Sequence, residues 1–567
     1  MNESNYERWM EMAIHEAAEA ALRGDQPYGA VLVSPENTMV ARCGNSENTR
    51  NDPSAHAEMN AIRTFCSRHD WGTLSDLTLV ASCAPCNMCA ATAFQLGVTK
   101  IVFGTTSSET SQEAESRLKK LAEICSTSVT VAPGISETEC SEQHSDIADL
   151  RTMDYRKSPT QIILSQVRLH DRSGIWDVQI ESGRISDVVS NKGANNRNSG
   201  ENKKTNKINC SGKVLMPSLV DPHIHLEKAF LEERRPSQSG TLTDAIRVTA
   251  ELKADFTHDD MYQRGKRLLQ RMEQSGVGHA RAHVEIDPVL ELRALDVAEQ
   301  LQSEFRGRVE VQIVIFPQEG IQQAAGTEGL MKAAARRNIV AIGGVPYNDI
   351  HPKEHLRTVF NLATEFGLGI DLHVDFADDP DRRDILTVIE FTREYGMHGK
   401  VNVGHLTSLS SIPSEEMIPI SDAMAECGIS VIALPATDLY LSGKEDKFAQ
   451  RRGITPVREL LKHGVNVCCG SNNTRNAFTP FGNGDLLLTA FLLAVTAQFG
   501  TRDDQQTILD LITQNAARAI GVNSSPIQKG RSADLVLLDV EDSASILSNI
   551  PARLLFVRNG RIIFDHR

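Results

Sequence analysis

Two cysteines three residues apart behind a proline, Cys86 and Cys89 in CAPCNMCA, are the most chemically pointed residues of the chain. A zinc ion takes four ligands, so two thiolates fill half of a shell and the rest must come from elsewhere in the fold. The matching donor is His56 in SAHAEMNAI, with Glu58 two residues on. One imidazole and two thiolates leave a fourth position for water, whose pKa a bound zinc lowers towards ~7. Glu58, which is not a ligand, would take the proton of that water as it attacks a carbon carrying an exocyclic amine. It would then pass the proton to a ring nitrogen and to departing ammonia. A redox thiol pair and a purely structural zinc are the competing readings, but a four-ligand structural site has no use for a glutamate at this spacing.

His-x-Glu followed by Pro-Cys-x-x-Cys is the signature of zinc-dependent base deamination. The pattern predicts His56 at the start of one helix and the cysteines at the start of another, where helix dipoles favour thiolate and developing negative charge. Residues 1–132 resemble the cytidine-deaminase fold family, and most closely its guanine deaminase and tRNA adenosine deaminase branch. The resemblance rests on PYGAVLV, GNSENTRNDPSAHAEMNAI, CAPCNMCA and IVFGT. It implies a base contact from Asn45, although Cys43 and Gly44 precede it where that branch has a Gly-His-Asn-like segment.

A second group of residues lies further along. His223 and His225 in DPHIHLEK end a predicted strand, and side chains two apart on a strand share a face. Single histidines end two later strands, His373 in DLHVDF and His405 in VGHL. Four imidazoles at the C-terminal ends of three strands point to a metal or former metal site at a barrel mouth. Residues 160–567 resemble the amidohydrolase superfamily, in its cytosine-deaminase-like branch, through His-x-His and FPQEGI. That resemblance implies that His223, His225 and His373 bind one divalent metal, zinc or iron. It also implies that His405 polarises the attacked carbon or holds the nucleophilic water, and that Gln318 grips the ring. No lysine in IVAIGGVPYND is placed to bridge two metals, so one ion is implied. Two positions depart from the pattern. Phe376 stands where the branch has a proton-shuttling acid, and Asn472 where it has an aspartate that takes the water proton. An asparagine amide cannot act as that base, and losing such a group typically costs ~10²–10⁴ in rate. Asp378 and Asp379 in the following loop, and Glu227 and Lys228 beyond His225, are the candidates for compensation, whereas Asp375 should face the other side of its strand.

The elements that must position these groups are legible as alternating patterns. Over 1–132, helical and strand patterns alternate in an α/β layer domain, and 133–158 reads as a polar linker. Short strand patterns at 159–213 and 526–567 predict a small β-domain built from both flanks of a barrel, interrupted by a low-complexity polar stretch in NKGANNRNSGENKKTNK. Between them, 214–525 carries eight apolar strand cores alternating with helical patterns, the signature of a TIM (β/α)8 barrel. Cys468 and Cys469 read as core, and Asp485 in PFGNGDLL as the start of a helix.

Composition narrows the function. A formal net charge of −15 and a Lys/Arg-enriched stretch confined to the polar 191–207 segment disfavour DNA and tRNA as partners. Eleven cysteines, an odd number in a large acidic chain, suit reduced thiols and a cytoplasmic setting. No secretory leader or membrane span is visible. The expectation is therefore a C–N hydrolase: a zinc deaminase of a free aminated heterocycle fused to an amidohydrolase barrel, in sequential work on one compound. The alternative is a working deaminase joined to a silent, ligand-binding or scaffolding barrel; tRNA deamination is the weaker third. By resemblance the chain is a homo-oligomer.

Overall fold

The computed structural model describes residues 3–22, 25–35, 39–47, 52–66, 76–106, 110–135, 140, 161–191, 205–237, 239–522 and 526–567. Of the expected linker, only 133–135 and Cys140 are among them, and the polar stretch 192–204 lies outside. The chain forms two compact units, residues 1–158 and 159–567.

In the first unit, α1 (Glu3–Leu22), α2 (Ala57–Cys66), α3 (Asn87–Leu96) and α4 (Ser111–Ile124) accompany a five-stranded sheet. Its order is β2 (Met39–Gly44), β1 (Gly29–Val33), β3 (Leu77–Cys83), β4 (Val98–Thr105), β5 (Thr130–Ala132). The β1 strand runs antiparallel to both neighbours, and β3, β4 and β5 run parallel. GAVLV and LTLVASC are buried along their whole length, as strands covered on both faces must be. The α1 helix buries Trp9, Met10, Ala13, Ala17 and Ala20 at helical spacing, the three alanines being small enough for close approach to the sheet. Gly29 makes the close approach possible, because a Cβ there would sit 2.0 Å from the Ala13 carbonyl oxygen. The β2 strand escapes a sequence reading because MVARCG is an edge strand with Arg42 and two half-exposed positions rather than an apolar run.

The second unit holds the barrel and its flanking sheet. The barrel strands run in sequence order: β11 (Leu219–Ile224), β12 (Val277–Glu285), β13 (Glu310–Phe316), β14 (Ala341–Ile342), β15 (Gly369–Val374), β16 (Val401–His405), β17 (Ser430–Ala433) and β18 (Asn466–Cys469). All neighbouring pairs are parallel, and a parallel bridge from Ile224 to Asn472 joins the first strand to the last. The eight-stranded barrel is thus the expected fold, with the small β-domain drawn from both flanks. In that domain β21 (Arg561–Asp565), β20 (Arg553–Arg558), β19 (Leu535–Leu538), β10 (Val214–Pro217), β6 (Gln161–Leu169), β7 (Arg172–Glu181) and β8 (Arg184–Ser190) lie side by side, with β9 (Thr205–Asn209) on β6. VLMPSLVDPHI reads as one strand but divides at Pro217, which has no N–H to continue a ladder. The first half pairs with β19 and β6, and the second half enters the barrel. Cys468 and Cys469 are buried in β18, and Asp485 caps the helix Leu486–Thr496 by accepting from the Leu487 N–H. No helix among the described residues is long and apolar enough to cross a membrane.

Arg558 of β20 fastens the small sheet to the barrel. Its guanidinium is buried, 3.2 Å from Asp534 and 3.3 Å from both the Ser218 hydroxyl and His279 Nε2. Gly278 leaves room for it, since a Cβ there would lie 2.4 Å from an Arg558 nitrogen. Removing one partner of such a pair leaves a charge without its complement, at a cost of about 3–5 kcal/mol. Arg558→Met is therefore expected to lower the free energy of unfolding of this unit by that amount, seen as a lower urea midpoint at unchanged slope, and a midpoint within error of the wild type would contradict the fastening role.

Candidate active site and metal centres

In the first unit, His56 precedes α2, Cys86 is the N-cap of α3 and Cys89 lies in its first turn. His56 Nδ1 is 3.6 Å from Cys86 Sγ and 3.5 Å from Cys89 Sγ, and the two sulfurs are 3.6 Å apart. Donors of a tetrahedral zinc at ~2.0–2.3 Å stand roughly 3.4–3.8 Å from one another, so the triangle has the size such an ion needs. The Cys89 thiol and the N–H groups of the first turn of α3 stabilise charge on Cys86, which is held down to about 5. Glu58, in the first turn of α2, is buried among these donors and hydrogen-bonded by Cys89, and burial pushes its carboxyl up. A carboxyl that favours the protonated form more than usual is suited to taking and returning a proton near neutral pH.

The other nitrogen of His56 faces a residue the sequence reading missed. Glu47 Oε1 lies 3.5 Å from His56 Nε2, the carboxylate–imidazole support that orients metal-binding histidines. Asn45 is fully buried, and both ends of its amide engage Glu47. Its Nδ2 donates to Glu47 Oε2 at 2.6 Å, and its Oδ1 accepts from the Glu47 N–H at 3.0 Å. Asn60 pins the same loop by donating to the Gly44 and Ala55 carbonyls. The only sequence signal for Glu47 is the general need of a ligating histidine for a second partner.

In the barrel, His223 Nε2 is 3.1 Å from His373 Nε2, which is 3.4 Å from His225 Nε2. Imidazoles sharing an ion at ~2.0–2.1 Å have nitrogens at about these separations. His225 Nδ1 donates to the His283 carbonyl at 3.0 Å; because a carbonyl only accepts, Nε2 is left with its lone pair facing the other rings. Burial pushes all three imidazoles well below their usual range, into the neutral form that binds metal. His283, at the end of β12, is a fourth buried imidazole in contact with this group and went unread in ARAHVEID. It stacks flat on His223 at 3.7 Å, with Nε2 3.5 Å from Asp371. Ligand nitrogens of His223, His283 and His373 also lie within 4.8 Å of one another, so His283 competes with His225 for a place in the donor set.

A narrow cleft opens beside His225, His373 and His405. Lys228, Gln318, Thr437, Asn472 and Asn473 supply its polar wall, and Phe376, Tyr347 and Phe478 its aromatic one. Among the described residues no carboxylate lines it. Phe376 stacks on His405 at 4.4 Å and 17°. The acids proposed to compensate, and Asp375, which was expected to face away, are all committed elsewhere. Asp375 caps the helix Asp384–Glu394 through the N–H groups of Asp384 and Ile385, Asp378 accepts from the Gly443 N–H, and Asp379 from the Asp381 N–H. Glu227, pushed up to about 7 by burial, accepts from the Glu285 N–H. Asp438 is the acid the sequence reading missed: buried in PATDLYL after β17, it lies 2.7 Å from His405 Nδ1 and so holds that ring's far nitrogen. A third donor cluster, the acidic Glu285, Asp287 and Glu319, surrounds Lys253 Nζ, which ion-pairs with all three and serves as their cation. Glu285 also receives Lys228 at 3.0 Å.

The family described as "Cytidine and deoxycytidylate deaminase zinc-binding region" matches residues 3–105, and "Amidohydrolase family" matches 266–564. N-isopropylammelide isopropyl amidohydrolase of Pseudomonas sp. (strain ADP) is 25% identical over 71% of this chain and 96% of its own length. Pterin deaminase of Rhizobium rhizogenes is 26% identical over 63% of this chain and 82% of its own. The crystal structure of 5-methylcytosine deaminase from Klebsiella pneumoniae with 5-fluorocytosine superposes with a TM-score of 0.67 at 28% identity, covering 72% of this chain and 98% of that one.

If both donor sets hold an ion, each should lose its own. Elemental analysis of the purified protein should show Cys86→Ala lowering zinc by one per chain, and His223→Ala removing a second ion independently. A protein whose divalent-metal content is unmoved by either change would contradict the geometry.

Proposed function

This chain belongs to the amidohydrolase family and carries a cytidine-deaminase-type zinc domain, and from that premise we propose that it hydrolytically deaminates a free, aminated nitrogen heterocycle at His56, Cys86, Cys89 and Glu58. The observation that carries the reading is the donor triangle of 3.5–3.6 Å beside a buried carboxyl. A zinc ion held there supplies the Lewis acidity that makes water a nucleophile at neutral pH. Glu58 takes a proton from the attacking water and returns it to the ring nitrogen. A further proton, moved to the amine, lets ammonia leave, so that C–NH2 becomes C=O with one water consumed. Cys86, Cys89 and His56, the last steadied by Glu47, fix where that happens. Relatives named for N-isopropylammelide, pterin and 5-methylcytosine match over more residues than the first unit contains, so they support a small nitrogen heterocycle as the compound class of the barrel, and of the N-terminal site only if both act on one compound. The net charge of −15 argues against tRNA.

In the barrel, His223, His225 and His373 would hold a second divalent ion, zinc or iron. With Phe376 and Asn472 in place of acids and no carboxylate on the cleft wall, we read the barrel as a ligand-binding site from which ordinary carboxylate-assisted deamination has been removed. One observation favours a second reading, in which the barrel itself hydrolyses a C–N bond: Asp438 braces His405 as a carboxylate braces a general base.

Ammonia release from a panel of free aminated bases separates the two. Glu58→Ala should cut the rate by ~10²–10⁴ while zinc content stays at the wild-type level. Activity that survives Glu58→Ala and is lost in Asp438→Asn and His223→Ala would move the reaction to the barrel.

A further inference from the structure

The barrel cleft has a hydrogen-bonding polarity that can be read from its far end. The N–H groups of Phe478 and Thr479 both donate to Asn476 Oδ1, at 2.9 and 3.3 Å. A backbone N–H can only donate, so the orientation of this amide is settled. Asn476 Nδ2 must then face Asn473, and it donates to Asn473 Oδ1 at 2.7 Å. Asn473 Nδ2 in turn donates to Asn472 Oδ1 at 3.0 Å. Each amide fixes the next, and the last one has a single free end. Asn472 Nδ2, on a residue only 1% exposed, is buried on the cleft wall with no hydrogen-bond partner among the described residues. The orientation of Gln318 follows in the same way. Lys228 Nζ, which also can only donate, lies 3.4 Å from Gln318 Oε1, so the amide turns its NH2 the other way. Lys228 is itself a buried cation on the same wall, paired with Glu285.

From these donors we infer that the barrel cleft binds an oxo-heterocycle, a cyclic imide or ureide whose edge offers carbonyl oxygens or an ionised ring nitrogen, in preference to the aminated ring. Three donors, one of them charged, belong to residues that line the cleft, and among the described residues no carboxylate lines it to answer an amine. An exocyclic NH2 would set hydrogens against hydrogens, and a site built for one hydrogen-bond polarity rejects the other strongly. Hydrolytic deamination converts such a donor into a carbonyl acceptor. On the reading proposed above, the cleft therefore suits the class of compound that the N-terminal site produces; the preference of the cleft does not depend on that reading.

The test is titration calorimetry on full-length Glu58→Ala protein, which prevents turnover, with barbituric acid and 2,4,6-triaminopyrimidine as matched probes. Barbiturate should bind at least ten-fold more tightly, and Asn472→Asp, which replaces the free donor by an acceptor, should reduce that ratio at least ten-fold. Lys228→Met should weaken barbiturate ten-fold and serves as the second variant if Asn472→Asp fails to fold. Equal or tighter binding of the triamine overturns the inference. So does a ratio unmoved by either substitution, or no barbiturate binding in protein with wild-type circular dichroism. Failure of the deaminase reading would show instead as absent ammonia release from wild-type protein, a separate measurement.

Discussion

The main chain of Asn472 is the joint on which the barrel depends. Its N–H donates to the His223 carbonyl at 2.8 Å and its carbonyl accepts from the His225 N–H at 3.1 Å, so one residue both joins the first strand to the last and sets two of the converging imidazoles. Asp221 reinforces the joint by accepting from the N–H groups of His223 and Ser471. The geometry demands a φ of 57° at Asn472, a left-handed conformation in which asparagine and aspartate are among the few comfortable side chains. An exchange of aspartate for asparagine therefore preserves the backbone joint while removing a base. Chemistry at this position can change without disturbing the architecture.

The two donor sets illustrate opposite ways of stabilising a reactive group. In the first unit the charge is shared: a thiolate at a helix N-terminus, a thiol, and an imidazole steadied by Glu47 stand around a carboxyl whose burial favours its protonated form. In the barrel the candidate donors are neutral imidazoles, and the charge is kept one layer back, where Lys228 and Lys253 meet Glu285, Asp287 and Glu319. Burial pushes Glu319 up to about 7, which eases the excess of acids over cations in that layer.

Much of this was legible in the sequence where spacing is rigid. Pro-Cys-x-x-Cys after His-x-Glu, and His-x-His on a strand, bind their members through one helix turn or one strand face, and the structure brings His56 to the cysteines and His373 to His223 and His225. The eight strand cores of the barrel were readable for the same reason. What stayed hidden were partners brought in from other segments of the chain, Asp438 from the helix Pro435–Leu441 among them. Glu47 and Asp438 are short-range neighbours of nothing distinctive in sequence, and only the fold shows which imidazole each one holds. His283 was concealed by sitting in an ordinary buried strand. The edge strand β2 carried no alternation strong enough to mark it, and Asp378 and Asp379, plausible from position, are held by backbone N–H groups.

The way the small sheet is assembled has a consequence during synthesis. Ser218, beside β10, and Arg558, on β20, are 340 residues apart in sequence yet share a hydrogen bond. At a translation rate of ~5–20 residues per second, the partner strands β19 and β20 follow the β6–β10 half on the order of tens of seconds later. Until they arrive, the side of β10 that will receive β19 stays open, and a ribosome-bound chain presents it to its neighbours. The interval in which this strand edge stays unpaired is therefore set by the order of the strands in the chain, and it opens only after the first unit has been made.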